Sequence, residues 1–200
     1  MPRVSLEQAE LNRDRIEDVS AQLFRELGID RVSVVDLMKA AGLTHGGFYG
    51  HFKSKDELAA IACTRAFDLS REKWEASVTQ SRSPAAALGA IINRYLSPEN
   101  RNAPGTACPA AMLASDVARE DEDKPVREAY RAGLDDLLDS LGALQEQGGP
   151  KTRRRHAITQ LSTMVGALLL ARASGTTALS DEILDAARKE LLADLKESRS

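Results

Sequence analysis

The chain is short of aromatic residues, of cysteine and of any long apolar run, and each shortage removes a class of protein. Phe, Trp and Tyr together make up 4% of its 200 residues. No segment alternates apolar and polar residues for long, while Ala, Leu, Glu, Arg and Asp dominate, so the composition points to an all-α protein. Cys63 and Cys108 are its two cysteines; they lack metal-site spacing and are too few for a secreted disulfide framework, so reduced thiols are expected. The most apolar run, Met164 to Ala171, is far too short to cross a bilayer, and the N-terminus has no apolar h-region. A cytoplasmic protein with no membrane partner is expected.

An excess of positive charge is also missing. With a formal net charge of -3, any contact with nucleic acid must be confined to a local patch. Lys39, Lys53 and Lys55, together with Arg3, Arg13 and Arg15, are the candidates for it. Catalytic constellations are lacking too: there is no Gly-rich phosphate loop, nucleophile elbow, carboxylate-His metal set or triad-like group. No catalytic residue, no cofactor and no metal are therefore assigned. His45 and His51 do not have the i, i+4 spacing that puts two imidazoles on one helical face. His156 reads as structural or surface.

What is present is concentrated in the stretch from Ser33 to Leu58. Val34, Leu37, Met38 and Ala41 recur at helical spacing after Ser33, and Asp36 completes a Ser-x-x-Asp capping box. Gly42 supplies a residue that tolerates a left-handed conformation past the helix end, and Thr44 offers a new N-cap. Helix, tight turn, helix is the expected order, a geometry that lets one helix cross a DNA backbone while the next enters the major groove. His45, Gly46 and Gly47 put little bulk near base edges, Phe48 is free to turn inward, and Tyr49 and His51 are flanking donors. Ser54 with Glu57 reads as a second capping box, opening a helix whose N–H groups and Lys55 could hold a phosphate.

The run Ala41-Gly42-Leu43-Thr44, then Gly46, Tyr49, His51-Phe52, Ser54-Lys55 and Leu58 resembles the DNA-binding signature of the TetR family of bacterial transcriptional repressors. In that family the pattern is Ala-Gly-Val-Ser-x-Gly-x-x-Tyr-x-His-Phe-x-Ser-Lys-x-x-Leu; one departure is Met38, where the family has a small Ala near the crossing. The resemblance implies a ligand-responsive repressor that binds palindromic double-stranded operator DNA as a homodimer and is released by a small effector. It makes Ser33, Thr44, His45, Gly46, Gly47, Tyr49, His51, Lys53 and Lys55 the DNA-binding candidates. A regulator without a small-molecule ligand remains an alternative.

Along the chain, residues 1 to about 9 read as a loose arm, followed by a helix to Leu27 with Ile16, Val19, Leu23, Phe24 and Leu27 on one face and Gly28 as its stop. The expected division is a helix-turn-helix head over residues 1–53 and a larger helical ligand-binding and dimerisation domain over 54–200. In it a long connector helix starts at Ser54, a helix covers Ala85 to Leu96, and Ser97 to Gly105 reads as the most flexible loop. Further helices cover Thr106–Arg119, Pro125–Leu144, Lys151–Ala173 and Ser180–Glu197, about nine in all.

Phe67, Trp74, Ile91, Tyr95, Cys108, Met112, Tyr130 and Met164 are candidates for a largely apolar effector pocket, although the same residues would serve as ordinary core. The family plan implies that the last two helices pair with their copies, with Ile158, Leu161, Val165, Leu168, Leu184 and Leu191 at the interface. Cys108 sits in a Gly-x-x-Cys-Pro stretch that resembles one branch of the same family. A helix N-terminus could lower its thiol pKa and make it a redox or electrophile sensor, or it could be a packing residue.

Overall fold

The computed structural model describes residues 6–197, so Arg3 and the first part of the expected arm lie outside the described residues. Residues 6–9 are not arm but the first turn of α1, Leu6–Leu27. Ile16 and Phe24 on it are buried, Val19 and Leu23 partly so, and Leu27 is exposed. Gly28 ends the helix at φ 92°, and the carboxylate of Asp116 holds the next backbone N–H, of Ile29, at 3.1 Å. After α2, Val34–Ala40, comes a short 3-10 helix, His45–Gly50, in place of the expected second α-helix. Next is α3, Lys55–Gln80, the longest element, with Leu58, Ala62, Phe67 and Trp74 buried along it.

The body follows as α4 (Pro84–Tyr95), α5 (Pro98–Asn102), α6 (Pro109–Met112), α7 (Ala114–Arg119), α8 (Pro125–Ala143), α9 (Pro150–Ala173) and α10 (Ala178–Glu197). No strand occurs among the described residues, and the protein is all-α as its composition predicts. α8 lies along α3, α9 packs on α8 and α10, and α4 closes the layer between α3 and α10. The buried side chains form one continuous core from Ile16 to Leu191.

The structure departs from the sequence reading in the middle of the chain. Ser97 to Gly105 is not an open loop: Ser97 caps α5, Pro98 occupies its first turn, and Pro104–Thr106 is a 3-10 turn. The stretch is held because Arg101 is buried, donating to Ser180 Oγ at 2.7 Å and to Asp181 at 2.6 Å. Thr106 to Arg119 is likewise not one helix, since Leu113 caps α6 and α7 begins after it.

α3 and α8 approach so closely that a glycine is required between them. A Cβ on Gly133 would lie 2.3 Å from Phe67 Cγ, inside any van der Waals contact. Gly142, on the same helix, faces open space. Gly→Ala inside a helix ordinarily stabilises by up to about 1 kcal/mol, so the two sites should respond with opposite sign. Gly133→Ala is expected to destabilise by about 1–3 kcal/mol through overpacking, and Gly142→Ala to stabilise by about 0.5–1 kcal/mol. Urea unfolding monitored by circular dichroism measures both, and a stabilised Gly133→Ala would show that the approach is not this tight.

Candidate nucleic-acid interface and internal cavity

The start of α2 is the capping box that the sequence predicts. Ser33 Oγ accepts the Asp36 N–H at 3.2 Å, and the Asp36 carboxylate takes the Ser33 N–H at 3.0 Å and its hydroxyl proton at 2.5 Å. Those bonds from Ser33 hold the Asp36 carboxyl below its usual range. Because its proton is committed there, Ser33 positions α2 instead of offering a donor to a phosphate. Gly42, at φ 71°, then closes a Schellman end: its N–H reaches Lys39 O at 3.0 Å and the Leu43 N–H reaches Met38 O at 2.8 Å.

The next turn is fastened by one side chain. Phe48 is completely buried, meeting Tyr49 edge-on at 5.2 Å and Phe52 at 5.7 Å. With Phe48 turned inward, Thr44, His45, Gly46, Tyr49 and Gly50 are left in solvent, and Tyr49 is 69% exposed. Met38 fits the crossing because it faces a residue without a side chain: its Cε is 3.6 Å from where a Gly47 Cβ would be. Arg13 is no free cation, since its guanidinium lies 4.6 Å over the Phe52 ring, pairs with Glu17 at 3.0 Å and donates to His51 O at 2.6 Å. That last bond holds the half-buried His51 in place.

At the start of α3, Ser54 Oγ accepts the Glu57 N–H at 3.1 Å, but Glu57 answers to the Lys53 N–H, at 2.5 Å, one residue earlier than a capping box requires. Lys53 is exposed and Lys55 half-buried. Among the described residues no ion pair engages Lys39, Lys53 or Lys55. The outcome is a small protruding turn of hydroxyl, imidazole and phenol groups, with cations beside it that lack partners, an arrangement suited to polyanion contact.

On the last two helices the sequence choice of outward residues is largely corrected. Leu161, Leu168, Leu184 and Leu191 are buried within the protomer and are closed to a partner. The outward stripe of α9 runs through Ile158, Val165 and Leu169, spaced for one helical face, with Leu170 and Leu179 also exposed. Both faces of α9 carry apolar residues, and only its neighbours decide which one turns in.

Of the eight expected pocket residues, Trp74, Ile91, Tyr95 and Cys108 do converge, on a cavity of about 270 Å³ between α3, α4 and the segment 97–108. Phe67 and Tyr130 instead pack edge-to-face at 5.5 Å, and the Tyr130 hydroxyl donates to Ala110 O at 2.8 Å. Met164 is core, and Met112 lies elsewhere, near Arg25 and Arg119. A larger space of about 390 Å³ opens beside Leu144, His156 and Leu191. It lies at the end of α8 opposite the Lys124–Asp56 ion pair that ties α8 to the start of α3, so the smaller cavity is the one connected to both halves.

Three residues that the sequence reading passed over give that cavity its character: Lys73, Arg94 and Arg25. Lys73 and Arg94 sit on its rim, at the same helical offset from Trp74 and Tyr95, and this spacing was the available signal. Burial first, then the Arg25 and Arg94 charges, lower the Lys73 pKa. Buried Arg25 donates from α1 to Ala107 O at 3.0 Å, next to Cys108. The Cys108 thiol is pushed up, because burial outweighs the opposing influence of the nearby Tyr95 hydroxyl and of the Ala110 and Ala111 N–H groups. That favours the packing reading of Cys108 over the sensor alternative, and burial raises Cys63 to about 12 as well. Tyr95 is almost fully buried, and its hydroxyl makes no hydrogen bond.

Comparison with known proteins bears on the same two regions. Residues 16–61 match the family model for bacterial regulatory proteins of the tetR family. The HTH-type transcriptional regulator AcrR of Shigella flexneri is 40% identical over 58 residues, 29% of this chain and 27% of that protein. An HTH-type transcriptional regulator of Staphylococcus aureus (strain USA300) is 36% identical over 61 residues, 30% of this chain and 33% of that one. The chain thus matches about a third or less of these curated relatives. Over nearly its whole length, 93% of this chain and 98% of the other, the fold is that of a TetR-family regulator from Agrobacterium tumefaciens, with a TM-score of 0.78 at 23% identity. Residues 16–61 thus carry a helix-turn-helix of the tetR-family type, and the whole chain has the fold of a TetR-family regulator.

Proposed function

We propose that this protein is a transcriptional repressor that binds a palindromic double-stranded operator as a homodimer, through a head of residues up to 53, and leaves it when a small effector fills a cavity in the domain of residues 54–200. The observation that carries the reading is the exposed turn from Thr44 to His51, fastened by Phe48 and flanked by the unpaired Lys53 and Lys55. The curated relatives matched by this stretch are named as HTH-type transcriptional regulators, which supports it. In this assignment Thr44, Tyr49, Lys53 and Lys55 hold phosphates and set the register, while His45, Gly46 and Gly47 approach base edges.

Two paths connect cavity and head. α3 carries Lys55 at one end and Trp74 about 19 residues on, roughly 28 Å along one rigid helix. Arg25 on α1 holds Ala107 O, so a ligand that displaces the wall at Cys108 also pulls on the head. Two heads must meet half-sites about 34 Å apart, and a small tilt of either helix spoils that match. A coupling of about 1–3 kcal/mol is typical of such devices, or about five- to 150-fold in DNA affinity.

Fluorescence anisotropy with the DNA upstream of the protein's own gene tests the DNA assignment. Lys55→Ala is expected to weaken all sequences alike and to reduce the salt slope by about 1, whereas His45→Ala changes the preferred sequence. A Lys55→Ala variant with unchanged nonspecific affinity would refute the phosphate role.

For the dimer, Leu169→Asp puts a charge on the outward stripe of α9. Light scattering is expected to give a monomer with operator binding lost, while a monomeric wild type with intact binding would overturn the assembly.

A further inference from the structure

We propose that the cavity behind Trp74 takes a small organic acid, its apolar body against Trp74 and Ile91 and its carboxylate between Lys73, Arg94 and the Tyr95 hydroxyl. This rests on the effector reading above and replaces the largely apolar ligand expected from sequence with an amphiphilic anion. The first ground is an unused donor: Tyr95 is 4% exposed, lines the cavity, and its hydroxyl has no hydrogen-bond partner. The Cys108 thiol is near that hydroxyl, but sulfur is a weak acceptor and no hydrogen bond forms between them. A buried hydroxyl without a partner is costly, so a site that keeps one does so at the expense of stability unless a ligand supplies the acceptor.

The second ground is charge. Lys73 donates once, to Thr106 O at 2.8 Å, and Arg94 donates once, to Lys73 O at 2.8 Å. The remaining donors of both cations have no carboxylate partner among the described residues. Glu99, the one acid in the lining, is engaged by Ser97 and its own backbone N–H at the start of α5. Arg25 adds a third positive charge close enough to depress Lys73. Two exposed rim cations against a single acid, over a wall of indole and isoleucine, favour a ligand that is anionic at one end and apolar at the other.

Size narrows the class. A volume of about 270 Å³ is the liquid share of roughly nine waters, which suits an acid of about ten heavy atoms.

The test titrates the full-length protein by calorimetry with benzoate, 3-phenylpropanoate and octanoate, each beside its own carboxamide of equal size and no charge. At least one carboxylate is expected to bind roughly tenfold or more tightly than its amide. Lys73→Met with Arg94→Met should abolish that preference. Tyr95→Phe should weaken the acid by about fivefold and raise the Tm of the ligand-free protein, an effect that mere loss of packing would not produce. Amides binding as tightly as acids would overturn the anionic class and leave an effector cavity standing. No binding by any of the acids would overturn the proposal outright. Acids that bind but leave operator affinity unchanged would confirm the ligand class and refute effector-driven release.

Discussion

Everything in this structure hangs on α3 being one uninterrupted helix shared by two sites. Its first turn is capped by Ser54 beside the exposed helix-turn-helix, and its later turns present Ser70, Lys73 and Trp74 to the cavity. A helix of 26 residues transmits tilt because its backbone bonds leave it no soft joint without a proline or glycine, and α3 contains neither. α8 fixes its direction by lying along it, with Gly133 removed of bulk so that Phe67 can fill the seam.

The second link, from α1 through Arg25 to Ala107, is chemically unlike the first. A buried guanidinium is tolerated only where carbonyls meet its donors, and Ala21 O and Ala107 O do so at 2.7 and 3.0 Å. Its partners therefore cannot drift apart cheaply. The helix-turn-helix is thus joined to the cavity wall by packing through α3 and by directed hydrogen bonds through α1.

Among the described residues, two buried side-chain polar atoms lack a hydrogen-bond partner, Ser20 Oγ in α1 and the Tyr95 hydroxyl at the cavity. Lys53 and Lys55 at the head, and Lys73, Arg94 and Tyr95 at the cavity, keep donors that folding alone does not use. The cations are solvated where they stand, whereas the buried Tyr95 hydroxyl without a partner costs stability.

The sequence by itself determined whatever depends on neighbours along the chain. Ser33 with Asp36, Gly28 and Gly42 could be read because caps and helix ends are settled within a few residues, whereas Thr44 stands before the turn without a side-chain capping bond. So could the inward Phe48, since a short turn between polar flanks has one apolar side. Only the tertiary structure decided which way the two-faced helices turn and which charges are buried. Leu161 and Leu168 are interior because α8 and α10 cover that side of α9, and no periodicity distinguishes one apolar face from another. Arg25 and Arg101 are buried because their acceptors, Ala107 O and Ser180 Oγ, lie 82 and 79 residues away. The same holds for the cavity, whose walls come from α3, α4 and the 97–108 segment: a space bounded by distant elements leaves no mark in any one stretch of sequence, because it exists only once they have packed.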